Sequence, residues 1–196
     1  MTVPSESTST IVKLWLLARQ TGDLLRACTD QLFMKHNITT EQYGVLATIK
    51  YQGDPVNITD IASWLRRSTN SVSMLVDRMV KAGLLRRIRD KGDRRVVHVI
   101  ITSKGENLLE LSSPACWELI REILSPLSDE DKRTFVSLFE RVNYKALECL
   151  NPREDIEEFF RKRAKRHATL MKRMPPYTWT PIREARHQGG KKERAI

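Results

Sequence analysis

At 196 residues, 40% of them hydrophobic, the chain has room for one domain of typical size and an appendage. Three widely spaced cysteines, Cys28, Cys116 and Cys149, supply neither a disulfide framework nor a zinc pattern. The net charge of +10 is unevenly spread: residues 57–103 carry +6, residues 151–196 carry +7 and the rest carry −3, a distribution that fits a nucleic-acid footprint on an acidic body.

The first residues, MTVPSESTST, are polar and lack an apolar signal core. No apolar run approaches the ~20 residues of a membrane span. The expectation is a soluble cytoplasmic protein with reduced thiols and no membrane partner. Residues 1–8 read as disordered. From residue 9 to 36 the spacing of Leu14, Leu17, Ala18, Leu24, Leu25, Cys28 and Leu32 predicts a long helix, with Trp15 on a neighbouring face. Such a helix has more apolar surface than one side of a small domain covers, and a second subunit would cover the rest.

Thr39 and Gln42 have capping-box spacing and open the next helix, with Tyr43, Val45, Leu46 and Ile49 inward. Gly53-Asp54-Pro55 ends it. Asn57 then caps a short helix whose buried stripe is Ile58, Ile61, Ala62 and Leu65, with Asp60 at the capping-box position and Arg66 and Arg67 at its negative end. Ser68 caps the helix after it. Val72, Leu75, Val76, Met79 and Val80 form the apolar stripe, Gly83 the stop, and Thr69, Asn70, Ser73, Asp77 and Arg78 the opposite face. Two capped helices joined by about three residues fit a helix-turn-helix, whose second helix enters the DNA major groove.

Leu84 to Arg89 and Val96 to Ile101 read as two strands separated by the turn cluster Asp90-Lys91-Gly92-Asp93, a hairpin with Arg94 and Arg95 at its tip. An arginine there can enter a narrow minor groove, and Asp93 could orient a guanidinium. Thr102 caps a further helix to about Leu124, with a kink or break expected near Ser112-Ser113 because Pro114 removes a backbone donor. Ser128 caps the last core helix, with Asp129, Glu130 and Asp131 in its first turn and Phe135, Leu138, Phe139, Val142, Ala146 and Leu150 as its stripe. Residues 151–196 form a basic extension, helical at first and then irregular, with Tyr177, Trp179 and Ile182 as its apolar anchors. It reads as a solubilising tail, an added phosphate-binding arm or a docking segment.

The stretch 57–103 resembles the winged helix of the MarR (multiple antibiotic resistance regulator) family of transcription factors. The matching pieces are Ile61-Ala62 with Leu65, Ser71-Val72-Ser73 with Leu75-Val76-Asp77-Arg78, Gly83-Leu84, Asp93-Arg94-Arg95, and Ile101-Thr102 with Gly105. The resemblance covers roughly residues 10 to 150. It implies a mainly α fold with a small β-hairpin wing, a winged helix core at about 39–103, and dimerisation helices at about 9–36 and 103–150. It also implies a homodimeric repressor on a pseudo-palindromic double-stranded operator, responsive to a small aromatic or anionic ligand, with Arg95 at the position of the family's wing arginine.

The candidate DNA-binding residues are Arg66, Arg67, Ser68, Thr69, Asn70, Ser71, Ser73, Arg78, Asp93, Arg94 and Arg95. Asn70 suits adenine, since its amide can pair bidentately. Arg66, Arg67 and Arg78 suit phosphates. Cys28 lies in the helix where some members of that family carry an oxidant-sensing cysteine; its neighbours Ala27 and Thr29 offer no charge, although Arg26 and Asp30 are near, and it reads as a buried inert thiol. No catalytic set, metal site or cofactor motif stands out, so no enzyme is expected. The competing reading is a winged-helix protein-interaction module that docks through its basic tail and binds DNA only non-specifically.

Overall fold

The computed structural model describes residues 6–53, 55–89 and 97–150, and in the following segment residues 157, 158, 160, 161, 164, 165 and 168, all helical. The elements are α1 (Glu6–Lys35), α2 (Thr40–Gln52), β1 (Val56–Asn57), α3 (Ile58–Leu65), α4 (Thr69–Lys81), β2 (Leu85–Arg89), β3 (Val97–Ile101), α5 (Ser103–Leu124) and α6 (Asp129–Leu150). Helix α1 begins at Glu6, inside the stretch expected to be disordered. Residues 90–96, which hold the hairpin tip, lie outside the described residues, as does most of the extension.

Each short helix starts where a side chain satisfies its free amides. Thr39 and Gln42 form a reciprocal capping box on α2. The Asn57 side chain accepts from the Asp60 amide, 2.8 Å. Ser128 and Asp131 form a second reciprocal box on α6: the Asp131 amide donates to Ser128 Oγ at 3.1 Å and the Ser128 amide donates to Asp131 Oδ2 at 3.0 Å. The serine hydroxyl also donates to that carboxylate, and these bonds to Ser128 hold the Asp131 carboxyl below its ordinary range.

The core sits where α2, α3, α4 and the sheet converge. Val45, Leu46 and Ile49 of α2 meet Ile61 of α3, Val72, Val76 and Met79 of α4, and Val99 of β3, all fully buried. Phe33 closes the core from α1 and stacks on Tyr43, ring centroids 4.3 Å apart. Burying one such side chain stabilises by about 1.5–3 kcal/mol, so this cluster carries the winged helix. The sheet has three strands in the order β1-β3-β2, all antiparallel, with Val56 opposite Val99 and Arg89 opposite Val97. The hairpin was expected from sequence; the third strand, β1, was not, because two residues are too few to show an alternation.

Of the kink or break expected near Ser112-Ser113, the break is absent. Helix α5 runs unbroken through Pro114. Proline leaves the Glu110 carbonyl without its helical donor, but Glu110 and Pro114 are both exposed, so water can serve it. On the other face the buried Ser112 and Ser113 hydroxyls donate to the carbonyls of Leu108 and Leu109, each at 2.7 Å. These small residues let α2 approach closely, and the Tyr43 hydroxyl donates to Ser113 Oγ at 3.3 Å. Burial raises both the Tyr43 phenol and the neighbouring Cys116 thiol above their ordinary values, so both stay neutral.

Candidate nucleic-acid interface

Helix α4 divides cleanly by face. Val72, Leu75, Val76 and Met79 are buried, whereas Thr69, Asn70, Ser71 and Arg78 are exposed and Ser73 is half-buried. At 100° per residue, Asn70 points almost directly away from the buried stripe, while Thr69 and Ser73 both lie to one side of it, towards the stripe. The Ser68 hydroxyl accepts from the Ser71 amide at 3.2 Å and lies 2.8 Å from the Ser71 hydroxyl. These two serines therefore serve the helix start first.

The turn before α4 positions two cations. Arg66 caps α3 in the left-handed region, φ 52° and ψ 46°. The Arg67 amide donates back to the Ala62 carbonyl at 3.0 Å, which closes the turn. Arg67 reaches Glu41 of α2 at 3.1 Å, a half-exposed pair worth little in stability but enough to orient the guanidinium. On the far side, Arg87 of β2 meets Asp77 of α4 at 2.8 Å and ties the wing to the helix beside it.

The end of α4 is tied to α5. Gly83 takes φ 74°, and the Leu84 amide donates to the Met79 carbonyl at 2.9 Å. Thr102 Oγ1 donates to the Gly83 carbonyl at 2.6 Å while accepting from the Gly105 amide at 3.2 Å. Lys104 Nζ donates to the Ala82 carbonyl at 2.9 Å. At Gly105 any Cβ would run into the Leu84 carbonyl oxygen, so only glycine permits this approach.

Eight of the eleven sequence-chosen residues, Arg66 to Arg78, thus gather on the α3–α4 surface. Asp93, Arg94 and Arg95 lie outside the described residues. Sequence reasoning missed Met74, which stands 67% exposed on the outward face of α4, one turn beyond Asn70. The signal was its position, outside the apolar stripe. A second correction concerns Cys28, which is exposed in the protomer rather than buried, because α1 is exposed all round from residue 8 to residue 28.

Against known proteins, the MarR family model matches residues 38–97. The transcriptional regulator PecS of Dickeya dadantii is 32% identical over 121 residues, 61% of this chain and 73% of PecS. The chain belongs to the MarR family. The regulator MgrA of Staphylococcus aureus is 35% identical over 83 residues, 42% of this chain and 56% of MgrA. Among solved structures, an S. aureus MepR–DNA complex superposes with a TM-score of 0.62 at 26% identity, covering 67% of this chain and 96% of MepR. As in that family, this MarR-type chain is mainly helical with a small antiparallel sheet. No described helix is long and apolar enough to cross a membrane.

Proposed function

We propose that the protein is a homodimeric, sequence-specific double-stranded-DNA-binding transcription regulator, a repressor that acts in the cytoplasm. The observation that carries this reading is the two-faced α4: a buried stripe behind an outward Asn70, with Thr69 and Ser73 to one side and Arg66, Arg67 and Arg78 around it. In this reading Thr69, Asn70, Ser71 and Ser73 face base edges, with Ser68 at the helix start, and the three arginines hold phosphates. Arg94 or Arg95 at the wing, oriented by Asp93, enters the minor groove. The MepR–DNA complex supports this assignment by likeness of fold and sequence.

Two-fold pairing is supported by apolar surface that the protomer leaves uncovered. On α1, Leu14, Trp15 and Leu24 are 64%, 67% and 66% exposed, and α6 exposes its expected stripe from Phe135 to Leu150. Soluble monomers rarely expose contiguous apolar area of this extent. A second copy covering α1 and α6 would set two α4 helices one turn of duplex apart on a pseudo-palindrome. Relief by a small aromatic or anionic ligand completes the proposal.

A gel-shift salt series tests it. Specific binding through Z phosphates gives a log–log slope near −0.9Z. Arg95→Ala should weaken operator binding by about 1–3 kcal/mol. A shallow slope with no preference for any duplex sequence would instead favour the interaction-module reading.

A further inference from the structure

We propose that Met74 is a specificity-determining residue that reads the C5-methyl group of one thymine in each half-site. This rests on the DNA-binding reading above. Among the described residues, the large apolar side chains that the protomer exposes lie on α1, α5 and α6, with the one exception of Met74. It follows Asn70 by four positions, so the two side chains share the outward face, about 6 Å apart along the axis. It lies on α4 and not on α1 or α6, the helices whose pairing is proposed above. A lone exposed apolar residue is ordinary on a protein surface. One at the middle of the face that enters a major groove is placed against the only apolar group that groove offers.

The chemistry is selective. Methionine has no donor, and its thioether is a weak acceptor, so it cannot satisfy the hydrogen-bonding edges of guanine, adenine or cytosine. Against the thymine methyl it packs closely and removes apolar surface from water. Its unbranched, polarisable chain adapts to the methyl position without a strict rotamer. Of the charged neighbours one turn on, Asp77 is engaged by Arg87 at 2.8 Å, and the exposed Arg78 is the phosphate contact assigned above.

The test uses the full-length protein and the tightest duplex it selects from a random pool. Thymines are replaced by uracil one position at a time, which deletes only the methyl group. Wild type should lose affinity about fourfold at one position per half-site, the effect of one buried methyl. Met74→Ala should bind thymine and uracil duplexes equally at that position and keep its losses elsewhere. Met74→Leu should retain the thymine preference. Equal losses in wild type and Met74→Ala at every position would overturn the assignment while leaving DNA binding intact. Recovery of no preferred duplex would instead overturn the DNA reading and this proposal with it.

Discussion

Arg66 occupies a backbone position that glycine would fill at lower cost. Its φ of 52° lies in the left-handed region, where a Cβ costs roughly 1–2 kcal/mol. The chain carries a cation there instead, at the turn that leads into α4. Arg66→Gly is therefore expected to hold or raise stability by up to about 1 kcal/mol, in denaturant melts, while weakening DNA binding in the same preparation. Loss of stability together with unchanged binding would contradict that division of roles. Asp131 makes the opposite kind of case, an acid held for the helix alone. Its folded value is lowered by the Ser128 hydroxyl and amide, so the stabilisation is present above the unfolded carboxyl value and is lost as pH falls through the folded one. Ser128→Ala should return the Asp131 titration towards the ordinary carboxylate range, as read by carbon NMR of the side-chain carboxyl. The pair is fully exposed, and its effect should be confined to the first turn of α6.

Helices α1 and α6 show why element-level reading succeeds and where it stops. The caps at Thr39, Asn57, Ser68, Thr102 and Ser128 were legible because each is a local side-chain-to-amide bond written in adjacent residues. The α4 stripe was legible because burial on one side imposes a 3.6-residue period. The β1 strand was not, since it exists only through its partner Val99 and His98 in β3. The continuity of α5 was not, since it depends on which face Pro114 turns to water. Met74 fell between two patterns, neither in the apolar stripe nor polar. For α6 the period was right, yet in the protomer only Leu147 is buried, and Phe135, Leu138, Phe139 and Val142 are exposed. The rings of Phe135 and Phe139 meet at a tilt of 47°, centroids 4.5 Å apart, on that open face. A period identifies a face that will be buried but not the molecule that buries it. Phe139→Glu places a charge there, and sedimentation should show a shift from dimer to monomer at micromolar concentration. Operator affinity should fall at least tenfold, because each half-site is then bound alone. A stable Phe139→Glu dimer would show that α6 is not part of the interface.

At the scale of the whole molecule, charge and shape separate. Residues 161–196 hold 12 basic and 2 acidic residues, while residues 1–160 hold 22 of each. The entire net charge of +10 thus resides in the last 36 residues. The start of this segment is fixed: the ring of Phe160 stacks on Tyr144 of α6 at 5.3 Å. Sixteen residues of continuous helix would set these rings about 24 Å apart, so Phe160 does not continue the α6 helix. Tyr144 lies on the side of α6 away from the exposed Phe135–Phe139–Val142 stripe, which leaves that stripe open to a second subunit. The 28 residues beyond Ala168 can reach at most roughly 90–100 Å, several times the radius of gyration expected for a chain of this size. Once two α4 helices are seated, duplex flanking the operator is within that reach, and its phosphates stand at high effective concentration. Deleting 161–196 should then leave the ranking of operator sequences unchanged while making the log–log salt dependence shallower, by about 0.9 for each phosphate the shortened chain no longer neutralises. The affinity deficit should be largest at low salt and vanish as salt rises. An unchanged slope would assign the segment to solubility, and an altered ranking of sequences would mean that it reads bases and does more than hold the backbone.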